Sequence, residues 1–152
     1  MSFGDLFSPA ARLASIRRQL APGRVLYIHC DFTVPYPKDK YLLLAAIEPR
    51  LIFIVINSGE RELVKTNPRW HAAQVPLFAA HYDFLEHDSV VDCTNAQEMT
   101  QEEVERQLIQ DMTRIKGRLS QDTLALVIDA VTDSPGLINR DKTWILNSLT
   151  AL

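Results

Sequence analysis

The sequence predicts one α+β domain of 152 residues: a small antiparallel β-barrel or sandwich, with helices packed outside it. Two observations lead to this class. Apolar segments with the length of strands follow one another between about residues 23 and 95, joined by turns and loops. A helical pattern precedes them near the N-terminus, and further helical patterns fill residues 100–152. A parallel doubly wound sheet would need helices alternating with the strands, and the pattern does not place them there.

Composition places the chain among ordinary globular proteins. Hydrophobic residues make up 47% of it, and the formal net charge is -3. This balance argues against an extended basic surface for nucleic acid, although a local basic patch is compatible with it. Cys30 and Cys93 form no C-x-x-C pair, which favours two reduced, packed thiols. Since no signal-peptide core and no stretch approaching ~18 apolar residues is seen, we expect a soluble, cytoplasmic protein without membrane contact.

The first helix and the first strand have clear boundary signals. Ser8 suits an N-cap and Pro9 the first helical position, and apolar residues then recur at helical spacing up to a turn at residues 21–23. Residues 24–32, RVLYIHCDF, alternate between two faces and predict a half-buried strand. The two prolines within residues 33–39 predict a loop after it.

Two strongly apolar strands come next, at residues 40–48 and 50–57, with a tight turn between them. Because they pair antiparallel, Asn57 and Ser58 should return to the neighbourhood of Lys40. The polar segment that follows, up to residue 73, predicts a loop. Shorter strands are then predicted at residues 74–80 and 89–93.

Helices are predicted for the rest of the chain. A capping box, Thr100 to Glu103, opens a helix that should run to about Lys116 and close at Gly117. Ser120 caps a second helix, which ends before Pro135. The last helix, within residues 136–152, should be anchored by four apolar side chains: Ile138, Trp144, Ile145 and Leu149.

Common catalytic motifs are missing from the sequence, including the P-loop, G-x-G-x-x-G, H-E-x-x-H and G-x-S-x-G. The segment HYDFLEHD supplies the residue types of a metal site: His81, Asp83, His87 and Asp88. Strand alternation would not direct all four at one point, so a polar strand edge is favoured over a metal site.

Two further pairs have chemical potential. His29 and Asp31 share the more polar face of the first strand and could act as a general base and its orienting group, although a solvated sheet face is the commoner arrangement. Trp70 and His71 could form a stacking platform for a nucleobase, although a lone tryptophan is more often a core or interface anchor.

The order of these segments resembles the PemK/MazF-type toxins. Residues 24–32, followed by a loop and a basic residue that opens an apolar strand, are similar to the family's "GDIVWVDFDP…RPVVVLS". SVVDCTNAQEM is similar to its "S-x-V-D" strand, and Gly117-Arg118-Leu119-Ser120 before a helix is similar to "KKGTLSPEEL". The resemblance covers about residues 23–132. It implies an SH3-like barrel, a homodimer, and a metal-independent endoribonuclease that needs no cofactor, cleaves single-stranded RNA and is inhibited by a cognate antitoxin.

The resemblance also assigns roles to residues. The family's catalytic Arg falls at Lys40 and its phosphate-binding Thr at Ser58. An ammonium group stabilises an anionic phosphate only as a point charge, whereas a guanidinium does so with a fork of donors. His29 or Asp31 could take the proton of the ribose 2′-hydroxyl. Four further residues are predicted to bind RNA: Lys38, Arg61, Lys65 and Trp70.

The alternative is a barrel of the same fold that no longer cuts RNA and acts as a protein-interaction module. The acidic net charge favours this alternative. If Lys40 is an exposed catalytic cation, Lys40→Ala should remove RNA cleavage and leave the melting temperature unchanged.

Overall fold

The structure, a computed structural model, describes residues 8–60 and 62–152. The strands are β1 (Arg24–Cys30), β2 (Lys38–Ala46), β3 (Ile52–Asn57), β4 (Gln74–Leu77), β5 (Ser89–Glu98) and β6 (Ile115–Arg118). The helices are α1 (Pro9–Gln19), α2 (Glu62–Lys65), α3 (Pro68–Ala72), α4 (Gln101–Gln110), α5 (Gln121–Thr132) and α6 (Asn139–Thr150). No helix in the described part of the chain has the length and apolar character needed to cross a membrane.

The six strands form one sheet in the order β4-β5-β3-β2-β1-β6, and neighbouring strands run antiparallel. The sheet curls into a half-barrel with helices outside it. The predicted α+β class, with an antiparallel barrel-like sheet and packed helices, is therefore confirmed. The strand pair β2 and β3 lies at its centre, as the apolar runs of these strands predict.

Each face of the sheet is covered by helices, because both sets of alternating side chains in the central strands are apolar. Leu42 and Leu44 of β2 point to one face, where they pack with residues of α1 and α4, and we call this the α1/α4 face. Leu43 and Ala45 point to the opposite face, where they pack with residues of α5 and α6, which we call the α5/α6 face. The strand ends that project beyond these helices are left to form the site.

Three predicted helix caps are confirmed. The hydroxyl of Ser8 accepts a hydrogen bond from the backbone N–H of Ala11 at 3.1 Å and starts α1. Thr100 does the same for Glu103 at the start of α4, at 3.2 Å. Ser120 caps α5. These caps form because the hydroxyl satisfies one of the backbone donors that the first helical turn leaves free.

The predicted loop at residues 58–73 contains two short helices, α2 and α3, so that prediction was wrong. The side chain of Asn67 accepts hydrogen bonds from the N–H groups of Arg69 and Trp70, and Pro68 stands at the first position of α3. Asn-Pro is therefore an N-terminal helix signal here, one that the polar composition of the segment obscured.

The predicted helix from Thr100 to Gly117 ends at Gln110, six residues before Lys116. Asp111 takes an extended backbone conformation, and its carboxylate accepts the N–H of Thr113 at 3.0 Å. This side-chain bond starts a short 3-10 turn, and the chain continues as β6 with Gly117 inside the strand. Asp competes with the helix for backbone donors, which explains the break.

Two smaller predictions also needed correction. Strand β2 begins at Lys38, two residues before the predicted start, so the loop before it is shorter. Ile138 precedes α6 and is 58% exposed, so it does not anchor that helix. The other three predicted anchors of α6 do pack inward: Trp144, Ile145 and Leu149.

Candidate active site

A cleft of about 300 Å³ lies at the sheet end where β2 begins and β3 ends. We call it the β2 cleft. Its lining combines polar and aromatic residues, among them Tyr27, Lys38, Asp39, Lys40, Tyr41, Asn57, Ser58, Glu86, His87 and Ser89. The antiparallel pairing of β1, β2 and β3 brings residues from distant parts of the sequence to this one end.

Asp39 is the centre of a charged cluster at the edge of the β2 cleft. It stands directly opposite His29 in the register of β1 and β2, and its Oδ1 lies 2.9 Å from Nδ1 of the imidazole. Its other oxygen, Oδ2, lies 3.5 Å from Nη2 of Arg114. The His29 side chain is about half exposed, at 54%, so the imidazole remains accessible to a ligand.

Arg114 is held beside this cluster by a second contact, with the backbone of β1. Its Nη1 donates to the backbone carbonyl of Tyr27 at 2.8 Å. Strand β6 pairs with β1 only as far as Leu26, so this carbonyl lies beyond the last pair of the ladder. A hydrogen bond from a charged donor to a carbonyl is among the stronger ones in proteins. The guanidinium is therefore held in place next to Asp39.

Aromatic rings and cations continue the site toward β6. The rings of Tyr27 and Tyr41 lie 4.6 Å apart, and Nζ of Lys116 lies 6.0 Å from the centre of the Tyr27 ring. Phe84 packs against Tyr41, with ring centres 5.7 Å apart, and covers the backbone of Gly117. The part of this surface that is open to solvent therefore combines ring edges and positive charge.

Lys40 also lines the β2 cleft, but its position in strand β2 faces the opposite side of the sheet from His29 and Asp39. Strand register places it opposite Ile28 of β1, on the α1/α4 face, whereas His29 and Asp39 lie on the α5/α6 face. Its Nζ donates to Oδ1 of Asn57 at 2.6 Å, as the predicted strand pairing requires. Burial lowers the pKa of Lys40, and the nearby charge of Lys38 lowers it further.

The Lys40 contact continues into a buried polar network. Asn57 donates to Asp92 at 3.4 Å, and Asp92 is only 1% exposed. The same carboxylate accepts from Gln74 at 2.8 Å and from Thr94. A buried carboxylate requires such partners, since an unpaired charge inside a protein is costly. Lys40 is therefore linked through Asn57 to a buried polar network, and its predicted catalytic role stays a prediction.

The other residues predicted to be catalytic lie apart from one another. Ser58 lies one residue beyond β3, is exposed, and lines the β2 cleft. Asp31 lies in a bend just after β1 and is exposed. The carboxylate that pairs with His29 is Asp39, so the predicted His29–Asp31 pairing is replaced by a pairing across two strands.

The residues predicted to bind RNA are scattered. Lys38 lines the β2 cleft. Lys65 is paired with Glu62 on α2, at 3.3 Å. Trp70 packs against Gly136 and is absent from the lining of the cleft. Arg61 falls outside the described residues.

The residues of the HYDFLEHD segment do not converge. Within residues 8–60 and 62–152, no group of three or more His, Cys, Asp or Glu side chains is arranged to hold a metal ion. Asp88 accepts the N–H of Ala79 at 2.8 Å, and the His81 ring lies edge-on to Phe78. His87 alone of the four lines the β2 cleft.

Asp39 and Arg114 are not among the site residues that the sequence predicts. Asp39 falls in the loop predicted from the two prolines before it. Arg114 falls within the helix predicted to run to about Lys116, which ends four residues before Arg114. The usable signal was Asp111, whose helix-breaking tendency could have marked the change of direction that brings Arg114 to the site.

Comparisons with known proteins gave matches among solved structures alone. No protein-family model matches the chain, and no curated protein matches it. Among solved structures, the toxin MazF-mt6 of Mycobacterium tuberculosis is similar, with a TM-score of 0.49 and 20% sequence identity. The match covers 72% of this chain and 93% of that chain.

Proposed function

We propose that this protein is a metal-independent endoribonuclease that cleaves single-stranded RNA at the edge of the β2 cleft. The observation behind the proposal is the position of Asp39 between His29 and Arg114. This cluster combines a candidate base, the group that orients it and a phosphate-binding cation. Those are the functions that RNA cleavage needs when no metal supplies them.

His29 would act as the general base. When the ionised carboxylate of Asp39 accepts a proton from Nδ1–H, Nε2 becomes the basic atom of the imidazole. Nε2 then takes the proton of a ribose 2′-hydroxyl. The 2′-oxygen attacks the adjacent phosphorus, and the bond from phosphorus to the 5′-oxygen breaks. The leaving oxygen takes a proton from water, so the products are a 2′,3′-cyclic phosphate and a 5′-hydroxyl.

Arg114 would stabilise the negative charge that builds on the phosphate. Its guanidinium has five donors, and its bonds to Tyr27 and Asp39 leave others for the phosphate oxygens. Because those two bonds already hold the group, little reorganisation is needed when the substrate binds. Lys116, beside the Tyr27 ring, adds positive charge near this cluster. Lys38, which shares the sheet face of Lys40, adds positive charge at the β2 cleft.

The aromatic lining supports a single-stranded substrate. Bases that are free of a duplex can stack on the exposed parts of the Tyr27 and Tyr41 rings. Because the formal net charge is -3, RNA binding would depend on local positive charge, here that of Arg114 and Lys116. From the sequence resemblance alone, we further propose that the protein is a cytoplasmic homodimer and that a protein antitoxin controls it.

Purified protein incubated with single-stranded RNA in the presence of EDTA tests this function. The expected products carry 2′,3′-cyclic phosphate ends. His29→Ala should remove cleavage, whereas His71→Ala should not. The two histidines are matched, since His71 is also an exposed imidazole paired with a carboxylate, Glu60, at 2.6 Å. Cleavage that requires a metal, or cleavage that survives in His29→Ala, would contradict the proposal.

A second candidate function is binding of a protein partner without catalysis. The loop between β1 and β2 exposes two large apolar side chains two residues apart, Val34 at 84% and Tyr36 at 64%. A group of exposed apolar side chains is one feature of protein-binding surfaces. Absence of cleavage for every RNA tested, together with tight binding to a protein partner that Val34→Ser weakens, would favour this function.

A further inference from the structure

At the outer edge of β1, side chains make hydrogen bonds to the backbone of Tyr27 and His29. Strand β6 pairs with β1 at Arg24 and Leu26, and no further pair is formed toward Cys30. The backbone groups of Tyr27 and His29 on that side therefore lack a neighbouring strand. Buried backbone donors and acceptors are costly when they are left without partners.

Gln107 of α4 takes the place of the missing strand at His29. Its Oε1 accepts the backbone N–H of His29 at 2.8 Å, and its Nε2 donates to the backbone carbonyl of His29 at 3.1 Å. The primary amide thus makes the same pair of bonds that a residue of an adjacent strand would make. A third bond, from Nε2 to Oε1 of Glu103 at 3.1 Å, orients the amide.

The Gln107 side chain is buried, which protects its two bonds to His29 from water. Gln107 is only 5% exposed, so water does not readily replace either bond. Its neighbours on α4, Val104 and Leu108, are fully buried against the α1/α4 face and fix the helix on the sheet. The amide is therefore presented from a rigid element to one residue of β1.

We propose that Gln107 is a positioning residue for His29. By bonding both the N–H and the carbonyl of His29, it fixes the backbone at this residue. The imidazole then stays opposite Asp39, at the observed distance of 2.9 Å. The catalytic consequence rests on the proposed ribonuclease function. The structural consequence, a fixed orientation of the His29 imidazole, can be measured without RNA.

Three variants separate positioning from general stability. Gln107→Leu has a similar volume and loses both bonds to His29. Gln107→Glu keeps an acceptor for the His29 N–H and, when ionised, loses the donor to the carbonyl. Gln110→Leu is the matched control on the same helix, because Gln110 is exposed and has a single long contact, to Arg106 at 3.5 Å.

Nuclear magnetic resonance gives the first result. In Gln107→Leu, the amide hydrogen of His29 should exchange with solvent about tenfold faster or more, since a buried bond is lost. The ¹⁵N shifts of the His29 imidazole should move away from those of the Asp39-paired tautomer. Gln110→Leu should change neither, and Gln107→Glu should lie between the two. If Gln107→Leu does not fold, Gln107→Glu is judged by the same two measurements.

Kinetics gives the second result. In Gln107→Leu, kcat should fall about tenfold to a hundredfold with KM nearly unchanged, because misplacing a catalytic group slows the chemical step. Unchanged His29 exchange and imidazole shifts in the Gln107 variants would overturn the positioning role, whatever the RNA assay shows. A wild-type protein that cleaves no RNA would overturn the proposed function, and the spectra would still decide the role of Gln107.

Discussion

His29 and Asp39 face each other across β1 and β2, with Nδ1 of the imidazole 2.9 Å from Oδ1 of the carboxylate. Direct opposition in an antiparallel pair places both side chains on the same face of the sheet. The contact is thus built into the strand register. Register brings the two side chains to one face, and the orientation of the imidazole then sets the contact.

Asp39→Asn tests this pairing. The amide is uncharged and can donate its own N–H to Nδ1, so the tautomer with the proton on Nδ1 is no longer fixed. We expect kcat for RNA cleavage to fall by about a hundredfold or more, the scale of general-base catalysis. Asp31→Asn, which changes the carboxylate that the sequence analysis paired with His29, should have little effect. A larger loss of kcat in Asp31→Asn than in Asp39→Asn would show that Asp31 is the catalytic partner of His29.

Arg114→Lys tests the phosphate-binding role. Lysine keeps the positive charge and loses the fork that spans the Tyr27 carbonyl and Asp39. Loss of one such donor should lower kcat by roughly a hundredfold. Arg18→Lys, an exposed change on α1, is the control. Full activity in Arg114→Lys, measured on the same RNA, would exclude a role for the guanidinium fork.

Lys40→Met should act on stability. The Asn57 side chain loses its charged partner, and the free energy of unfolding should fall by about 1 kcal/mol. Cleavage by the folded protein should change little, because the proposed function assigns the base to His29 and the phosphate-binding cation to Arg114, while Nζ of Lys40 is bound to Asn57. Lys38→Met, at an exposed position of the same strand, should leave stability unchanged. A hundredfold loss of cleavage at an unchanged melting temperature would instead support the catalytic role that the sequence resemblance assigns to Lys40.

Three glycines should differ in their tolerance of alanine. At Gly136 a Cβ atom would lie 2.8 Å from the Thr94 carbonyl oxygen, and at Gly117 it would lie 3.1 Å from the Phe84 ring. At Gly59 no atom lies within 4 Å of it. Overpacking of this kind costs about 1–3 kcal/mol, so stability should fall most in Gly136→Ala, less in Gly117→Ala and least in Gly59→Ala. Chemical denaturation of the three variants measures this order, and equal stabilities would contradict it.

Glu103 should make stability depend on acid pH. Hydrogen bonds from Arg106, and then from Gln107, lower the pKa of Glu103 from 4.5 to about 2. A lowered folded-state pKa adds stability above the unfolded-state value, and this contribution is lost as the pH falls through the folded-state value. The melting temperature of the wild type should therefore exceed that of Glu103→Gln at neutral pH, and the gap should close between pH 4.5 and about pH 2. The gap should be small, because solvent screens an exposed ion pair. A gap that widens with acid would contradict this assignment.

The sequence by itself determined the elements whose signals are local. Ser8, Thr100 and Ser120 start helices because a cap needs only a hydroxyl and the next turn of the backbone. The apolar runs of β2 and β3 predict central strands because side-chain alternation is a property of one strand. The antiparallel pairing of these two strands follows from the short turn between them. That pairing placed Asn57 next to Lys40, as predicted.

Only the tertiary structure decided which groups form the candidate site. Whether His29 meets Asp31 or Asp39 depends on the register between β1 and β2, which a loop with two prolines does not reveal. Arg114 lies 75 residues from Asp39 along the chain, and no local pattern connects them. Its position follows from the end of α4 at Asp111 and from the gap beside β1 that its side chain fills. Strand register and the packing of a helix on a sheet edge depend on the whole core, because each is set by contacts between segments distant in sequence.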